Sequence, residues 1–553
     1  MADFVWTKAQ RDSMPGRLEE LYDYDFHPTS GLTVYGKGDT YTHMEEGDEF
    51  VTVIGYCYYP DKPVRQIVSE ILRSFKESLI GNLKRKLIGQ FLLIIKKHES
   101  IYVFADCLQA RNVFYSQEGS VVSSSYSVVE NALRTSGNDL DTYKVFEYMA
   151  MQHTMYPGWL GRTTMHKRIM RLRPYEYLVI NTSDLTCRIG AVKFLIANNK
   201  ESDIHNLSSE LLMRLRTFIE QSDFRDDKVG VALTGGYDTR LVACIAAKYF
   251  KNISFRVAVS KDHTNFMFDL NSVFDLRVAR KVAKVVDIPL DVYWSSGEPD
   301  KERFYKLTEG LAPSYNSTIT PLIDASGSYA MGMGGVFGTE LFYSVPYDTI
   351  EVFTDKAIAR AKVRLDVKDV MWEQFRECMI QEFDDIKEHY EFAVPNERDQ
   401  IRMFVLMNTG WLSSVLVSSY NINGVQLEPY GNMPIMEVAF KVSEQHLGRR
   451  TKLGETCLLQ KVAMSNVHYN MGKIMTSHYC PMLPLSIRTV APYLTGYLLH
   501  ILYSANLRIL KNRRRFTKVT KFSGGLYISD GWNSLFVRRI KEQYGDYVNM
   551  ENA

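Results

Sequence analysis

The chain has 553 residues, 45% of them hydrophobic and 24% charged, the balance of an ordinary water-soluble protein, and at roughly 150 residues per domain it has room for two to four domains. Lys plus Arg number 66 against 64 Asp plus Glu, a net charge of +2, so bulk charge gives no reason to expect nucleic acid or an anionic membrane as a partner. The seven cysteines are scattered without a CxxC pair, which argues against a zinc knuckle or a disulfide framework. The opening MADFVWTKAQRD lacks a signal-peptide core, and no uninterrupted apolar run reaches about 18 residues, so the expected address is the reducing cytoplasm.

Residues 49–59 (EFVTVIGYCYY) are β-branched and aromatic and stop at Pro60, the signature of a strand and turn. Val64, Ile67, Ile71, Leu72, Phe75 and Leu79 follow at helical spacing. Gln90 to Ile95 and Ile101 to Ala105 read as a hairpin turned by KKHES, and further short strands are expected to about residue 128. The pattern then changes. A helix over Leu207 to Ser222 precedes a short apolar strand, Val229 to Leu233, which TGGYDT breaks. A helix over Leu241 to Tyr249, a strand over Ile253 to Val259 and a helix over Val273 to Val286 complete an alternation that predicts a parallel α/β sheet with covered faces. Residues 355 to 510 are mostly helical in pattern, and RILKNRRRFTK, 508–518, reads as a solvated surface run. The polar NNKESDIHN, 198–206, marks the boundary, giving expected domains of 1–200 and 201–553.

The segment VGVALTGGYDTRLVACIAAKY, 229–249, carries the strongest chemistry. Gly235 and Gly236 let a ligand approach the main chain. Thr234 and Thr239 add hydroxyls, and a turn between a parallel strand and a helix aims backbone amides at an anion. Asp238 would repel a bare phosphate but can hold Mg²⁺ that bridges phosphate oxygens. A plain tight turn is the competing reading. The segment matches neither GxxxxGK[ST] nor GxGxxG.

It does resemble the PP-loop, usually SGGxDS, of ATP pyrophosphatases that form adenylates, with threonines in place of both serines. With Arg240 and the helix after it, the loop resembles the synthetase domain of the asparagine synthetase family, which includes β-lactam synthetases and lasso-peptide cyclases. FDLRVARKVAKVVDIPL, with Asp275 and Ala279, is similar to that family's acidic residue and helix. MGMGGVFGTELFY, 331–343, resembles its second active-site loop. Gly335, Glu340, Leu341 and Phe342 keep their places, while Phe337 replaces a glycine and Thr339 a magnesium-binding Asp. In GVQLEPYGNMPIMEVAF, Pro429 and Glu437 persist, while Val425, Leu427 and Asn432 replace the usual Glu, Arg and Asp. KLGETCLLQKVA, 452–463, resembles the later KxxLRxA helix.

The first third is similar to the family's glutamine amidotransferase domain. Asp106, Phe114 and Tyr115 lie where it has RDxxGxxPLYY, SSSYSVVENAL resembles its SSxxxAL sequel, and GRTTMHKRIMRLRPYEYLVI follows its next motif. The resemblance implies an N-terminal Ntn-hydrolase-like αββα sandwich. After it would come a PP-loop ATP pyrophosphatase domain, of the adenine nucleotide alpha hydrolase-like class, with a largely helical C-terminal part. Glutamine hydrolysis in the family uses a cysteine at the mature N-terminus, and here no cysteine precedes Cys57. Cys57 and Cys107 read as buried structural thiols. The first domain is then expected to be structural, with an amine on a substrate in place of glutamine-derived ammonia.

The resemblance implies ATP and Mg²⁺ as cofactors and a small-molecule or peptide substrate that offers a carboxylate and an amine. Leu233, Thr234, Gly235, Gly236, Asp238, Thr239, Arg240 and Gly335 are the expected nucleotide contacts, Asp238 and Glu340 the metal ligands, and Tyr343 and Glu340 the catalytic candidates. Ring-closing relatives pair a Tyr with a Glu. Glu373, Glu377 and Glu382 are the available partners for Tyr343. The family's late Lys falls near Val490, with Lys511, Lys518 and Lys521 as substitutes and Lys452 and Lys461 read as helix-surface residues. Two alternatives stand beside an AMP-forming ligase or cyclase: transfer to a separate amine, and a catalytically degenerate protein serving as a binding or scaffold module. A homodimer is among the assemblies the sequence allows.

Overall fold

The computed structural model describes residues 4–7, 24–29, 31–36, 41–59, 62–133, 139–154, 158–184, 186–222, 224–259, 270–295, 298–308, 311, 319–363, 365–420, 424–451, 454–455, 457–476, 480–486, 489–495, 497–498, 519–522 and 526–529. The chain forms a mixed α/β structure with several sheets.

Residues 4–191 carry two six-stranded antiparallel sheets. One runs in the order 169–171, 114–116, 121–123, 4–7, 32–36, 24–29, and the other 187–191, 176–181, 100–105, 88–97, 49–58, 41–46. Strand alternation sends Phe4, Trp6 and Val34 of the first sheet and Ile54, Leu92 and Ile94 of the second into one buried cluster, so the sheets pack face to face. The second sheet turns Val51, Val53, Leu93 and Ile95 outward onto Ile67, Val68, Ile71 and Leu72 of helix Val64–Ser74. On the far side, Phe114 and Val121 join Tyr126 and Val129 of helix Tyr126–Ala132 and Phe146 and Met149 of helix Thr142–Thr154. The layers are therefore helix, sheet, sheet, helix.

Two local expectations shift. The strand pattern ends at Ser123, not near 128, because Ser125 caps a helix there, its Oγ accepting the Val128 amide at 3.2 Å. The hairpin turn narrows to His98 and Glu99, since Lys96 and Lys97 remain in the strand and pair with Asp48 in the turn before the neighbouring strand and with Glu49 at its start.

The second sheet system is parallel throughout, in the order 290–294, 252–259, 228–232, 331–333, 425–427. The chain enters at the centre, winds outward through 252–259 and 290–294, then returns to add 331–333 and 425–427 on the other side. Loops leaving the C-terminal ends of Lys228–Ala232 and Met331–Met333 must therefore diverge. This is the topological switch point, where open α/β sheets bind ligands.

One buried cluster runs through both sheet systems and the helices Ile350–Lys362, Asp369–His389 and Met433–Lys441. Polar ties reinforce it. The Tyr390 hydroxyl donates to the Cys107 carbonyl at 3.2 Å. Arg173 donates to Glu382 at 3.2 Å and to Asp385 at 2.7 Å. Among the described residues no helix is long and apolar enough to cross a membrane.

Candidate functional site

At the switch point the strand ends at Ala232 and helix Asp238–Tyr249 begins six residues on, with four of its core-facing residues (Leu241, Val242, Ile245, Ala246) buried. The turn between them is held by its own polar groups. The Thr234 and Thr239 hydroxyls lie 2.9 Å apart, Thr239 Oγ1 accepts the Thr234 amide at 3.2 Å, and Thr234 Oγ1 accepts the Gly236 amide at 3.2 Å. The Gly235 amide donates to Asp275 Oδ1 at 2.8 Å. A carboxylate of helix Leu270–Val286 thus already sits where an amide of this turn can grip an anion.

The loop after Met331–Met333 presses directly on this turn. A Cβ at Gly335 would come 2.7 Å from the Thr239 nitrogen, and one at Gly338 would come 2.4 Å from the Asp238 carboxyl carbon. Only glycine permits that approach. The Asp238 carboxylate also accepts the side-chain amide of Gln460 from helix Leu458–Gly472. Phe337 takes a left-handed backbone, at φ 73°, with its ring buried against Gly431. Burial of that ring holds a conformation that otherwise costs about 1–3 kcal/mol.

Behind the loop lies a buried polar chain that sequence reasoning missed. Arg256 donates to Gln426 Oε1 at 2.5 Å, Gln426 donates to Glu428 Oε1 at 2.9 Å, and Glu428 Oε2 accepts the Val336 amide at 2.8 Å. A Cβ at Gly332 would meet Arg256 at 2.2 Å, and one at Gly334 would meet Glu428 at 2.3 Å. The alternating glycines of MGMGG make room for this chain. Burial pushes the Glu428 carboxyl up to about 7, against the pull of its bonds to Gln426 and Val336 and the charge on Arg256. Gln90 of the antiparallel sheets closes the assembly, its side chain accepting the Glu428 amide at 3.1 Å and donating to the Glu428 carbonyl at 3.3 Å. The signal was present: Arg256, Gln426 and Glu428 interrupt otherwise apolar strand segments.

The structure brings Thr234, Gly235, Gly236, Asp238, Thr239 and Gly335 together at the switch point, with Glu340 half-buried in the first turn of helix Gly338–Phe342. Three expectations need correcting. Arg240 is fully buried and donates to the carbonyls of Gly235 (3.2 Å), Ile474 (2.7 Å) and Met475 (3.3 Å), so it braces the turn from behind and has no exposed face for a nucleotide; burial draws its guanidinium down to about 10. Leu233 belongs to the core, with its amide spent on the Arg256 carbonyl at 2.9 Å. Lys461 is no surface lysine. It is 2% exposed, donates to Tyr493 at 2.6 Å, and lies 5.6 Å over the Tyr237 ring.

Tyr343 stands apart from the turn, lining an open groove with Arg360, Arg398 and Arg449. Glu382 faces the antiparallel sheets, where it binds Arg173 and the Gly161 amide, 2.9 Å away. Asn432 caps helix Met433–Lys441, accepting the Ile435 amide at 3.1 Å, and Glu437 pairs with Arg85 at 2.8 Å. Val490 is 43% exposed. Cys57 is buried and its thiol pushed up to about 12 by desolvation, and burial raises Cys107 as well. The side chains of Thr339, Lys452, Lys511, Lys518 and Lys521 lie outside the described residues.

No family model matches the chain, and no curated protein matches it. Among solved structures it is similar to the U34-tRNA thiolase NcsA from Methanococcus maripaludis with its 4Fe-4S cluster, at 10% identity and a TM-score of 0.21, over 61% of this chain and 89% of that one. It is also similar to glutamine phosphoribosylpyrophosphate amidotransferase from B. subtilis complexed with ADP and GMP, at 11% identity and a TM-score of 0.16, over 47% of this chain and 51% of that one. Likenesses this low say nothing of function, and the site's chemistry stands on the chain's own geometry.

Proposed function

We propose that the chain is an ATP-dependent carboxylate–amine ligase or cyclase of the asparagine synthetase type. It would adenylate a substrate carboxylate, release pyrophosphate, and direct a substrate amine, not glutamine-derived ammonia, onto the activated carbonyl, from which AMP leaves. The observation that carries this reading is the Thr234–Thr239 turn at the switch point of a parallel sheet, closed by a second glycine loop at Gly335 and Gly338.

The chain's own residues have definite parts. The Gly235 and Gly236 amides would donate to the phosphates once Asp275 and the Thr234 hydroxyl, which now accept them, yield those positions. The two threonine hydroxyls fix the turn, and Arg240 holds its back wall. Asp238, with Glu340 on the adjoining short helix, offers the carboxylates for Mg²⁺. Among the described residues no three His, Cys, Asp or Glu side chains cluster as a metal site, and Mg²⁺ bound with a nucleotide needs only one or two carboxylates beside phosphate oxygens. Asp238 and Glu340 would hold the ion, which when bound would supply compensation for negative charge on the departing pyrophosphate. Tyr343 is the candidate to orient the amine and take its proton, and fixing both reactants supplies much of the rate. The antiparallel sheets, of Ntn-hydrolase type in this reading, buttress the second loop through Gln90 and Glu428.

Exchange of labelled pyrophosphate into ATP in the presence of a carboxylate library tests the activation step, and product mass separates cyclisation from ligation. A second reading, a non-catalytic binding or scaffold protein, is favoured by one observation: Asp275 and Gln460 already occupy Gly235 and Asp238. ATP-dependent product formation by purified protein excludes it.

A further inference from the structure

Helix Gly338–Phe342 begins against Asp238 and ends at a groove of about 1270 Å³. The groove's floor is tied to that helix. The Gly448 amide donates to the Phe342 carbonyl at 2.7 Å, the Ser344 amide donates to the Gly448 carbonyl at 3.0 Å, and Tyr343 pairs with Gly448 as a parallel bridge. Three arginines from separate elements line it, against one lining carboxylate, Glu444. That carboxylate is shared: Arg398 and Arg449 both donate to it, Arg449 at 2.9 Å, and Arg398 also holds Asp348. Arg360 has no carboxylate partner among the described residues, and its guanidinium donates to the Tyr347 hydroxyl at 2.8 Å. Ser443 and Gln445 add polar groups.

The groove exceeds the ~300–1,000 Å³ of a typical small-molecule pocket, and its lining is half polar where such pockets are predominantly apolar. Its excess of planar guanidinium donors matches carboxylates. We propose that this groove binds an acidic peptide segment of the substrate, with Arg360, which has no carboxylate partner among the described residues, as the principal cation for its side-chain carboxylates. The inference rests on the ligase reading for one point only, that the ligand continues past Tyr343 toward the nucleotide turn.

The test is fluorescence polarisation of the full chain with labelled tetraglutamate and tetraglutamine peptides. Tetraglutamate is expected to bind about tenfold more tightly than tetraglutamine, and Arg360→Gln to lower its affinity about fivefold. Binding should weaken as salt rises from about 0.05 to 0.3 M. Asp238→Asn, which alters the nucleotide turn, should leave peptide affinity unchanged. Equal binding of both peptides, binding of neither, an Arg360→Gln protein that binds as wild type, or displacement by inorganic phosphate as effective as by free glutarate overturns the proposal. Peptide binding without Mg-ATP binding leaves the groove standing and removes the nucleotide reading. Mg-ATP binding without peptide binding does the reverse.

Discussion

The Asp275 carboxylate accepts the Gly235 amide at 2.8 Å, across the turn that a triphosphate would occupy. An internal anion therefore competes with the nucleotide for one backbone donor. Asp275→Asn keeps an oxygen acceptor but removes the charge assistance, a difference of about 1 kcal/mol. Mg-ATP is expected to bind about fivefold more tightly to this variant in calorimetry. Weaker binding would mean that Asp275 serves the nucleotide or its metal.

Two glycines separate the turn's chemistry from its packing. A Cβ at Gly236 would lie at ordinary contact distance, 3.4 Å from Thr234 Oγ1, whereas one at Gly334 would meet Glu428 at 2.3 Å. Gly236→Ala should fold normally and lose nucleotide affinity, because the methyl stands where phosphate approaches. Gly334→Ala should cost about 1–3 kcal/mol through overpacking, read as a lowered melting temperature. Equal melting temperatures for the two variants would contradict the packing assigned to Glu428.

The Glu428 carboxyl is raised to about 7 and that of Asp106 to about 6, both by burial. For a raised carboxyl the neutral form is the one the fold favours. Its contribution is complete below the ordinary carboxylate pKa and is lost as pH rises through the raised value. Stability should therefore fall between about pH 4 and 7 from these groups. Glu428→Gln, neutral throughout, should flatten part of that slope, by on the order of 3 kcal/mol at most. Chemical denaturation at both pH values measures it, and an unchanged slope would place the Glu428 carboxyl near its ordinary value.

Glu382 is buried with Arg173, Glu176 and the Gly161 amide around it. Glu382→Ala removes one partner of a buried pair and should destabilise the protein by about 3–5 kcal/mol. Glu382→Gln should lower the melting temperature while leaving the pH profile of pyrophosphate exchange unchanged. A displaced profile would return Glu382 to the role of base.

Two of the five strands of the parallel sheet, 228–232 and 252–259, were legible because they are short apolar runs between helical patterns, and the TGGYDT break opened after the first of them as read. The helix start was read three residues late, at Leu241, because the apolar pattern begins only after the polar first turn at Asp238. The loop residues were legible through glycine and hydroxyl chemistry. The inward roles of Arg240 and Lys461 were not: Arg240 reads as a nucleotide contact because it follows the loop, and Lys461 as a solvated helix face, until tertiary packing aims them at carbonyls and a tyrosine. The Arg256–Gln426–Glu428 chain joins residues up to 172 positions apart in numbering, from Arg256 to Glu428, and no local pattern encodes it.

The most direct test of nucleotide binding at the turn is a calorimetric titration of the full chain with Mg²⁺ and a non-hydrolysable ATP analogue, repeated with Gly236→Ala and Asp238→Asn. The expected result is one saturable site in the wild type that weakens about tenfold or more in each variant. No heat of binding in the wild type, or equal affinity in all three proteins, would contradict it.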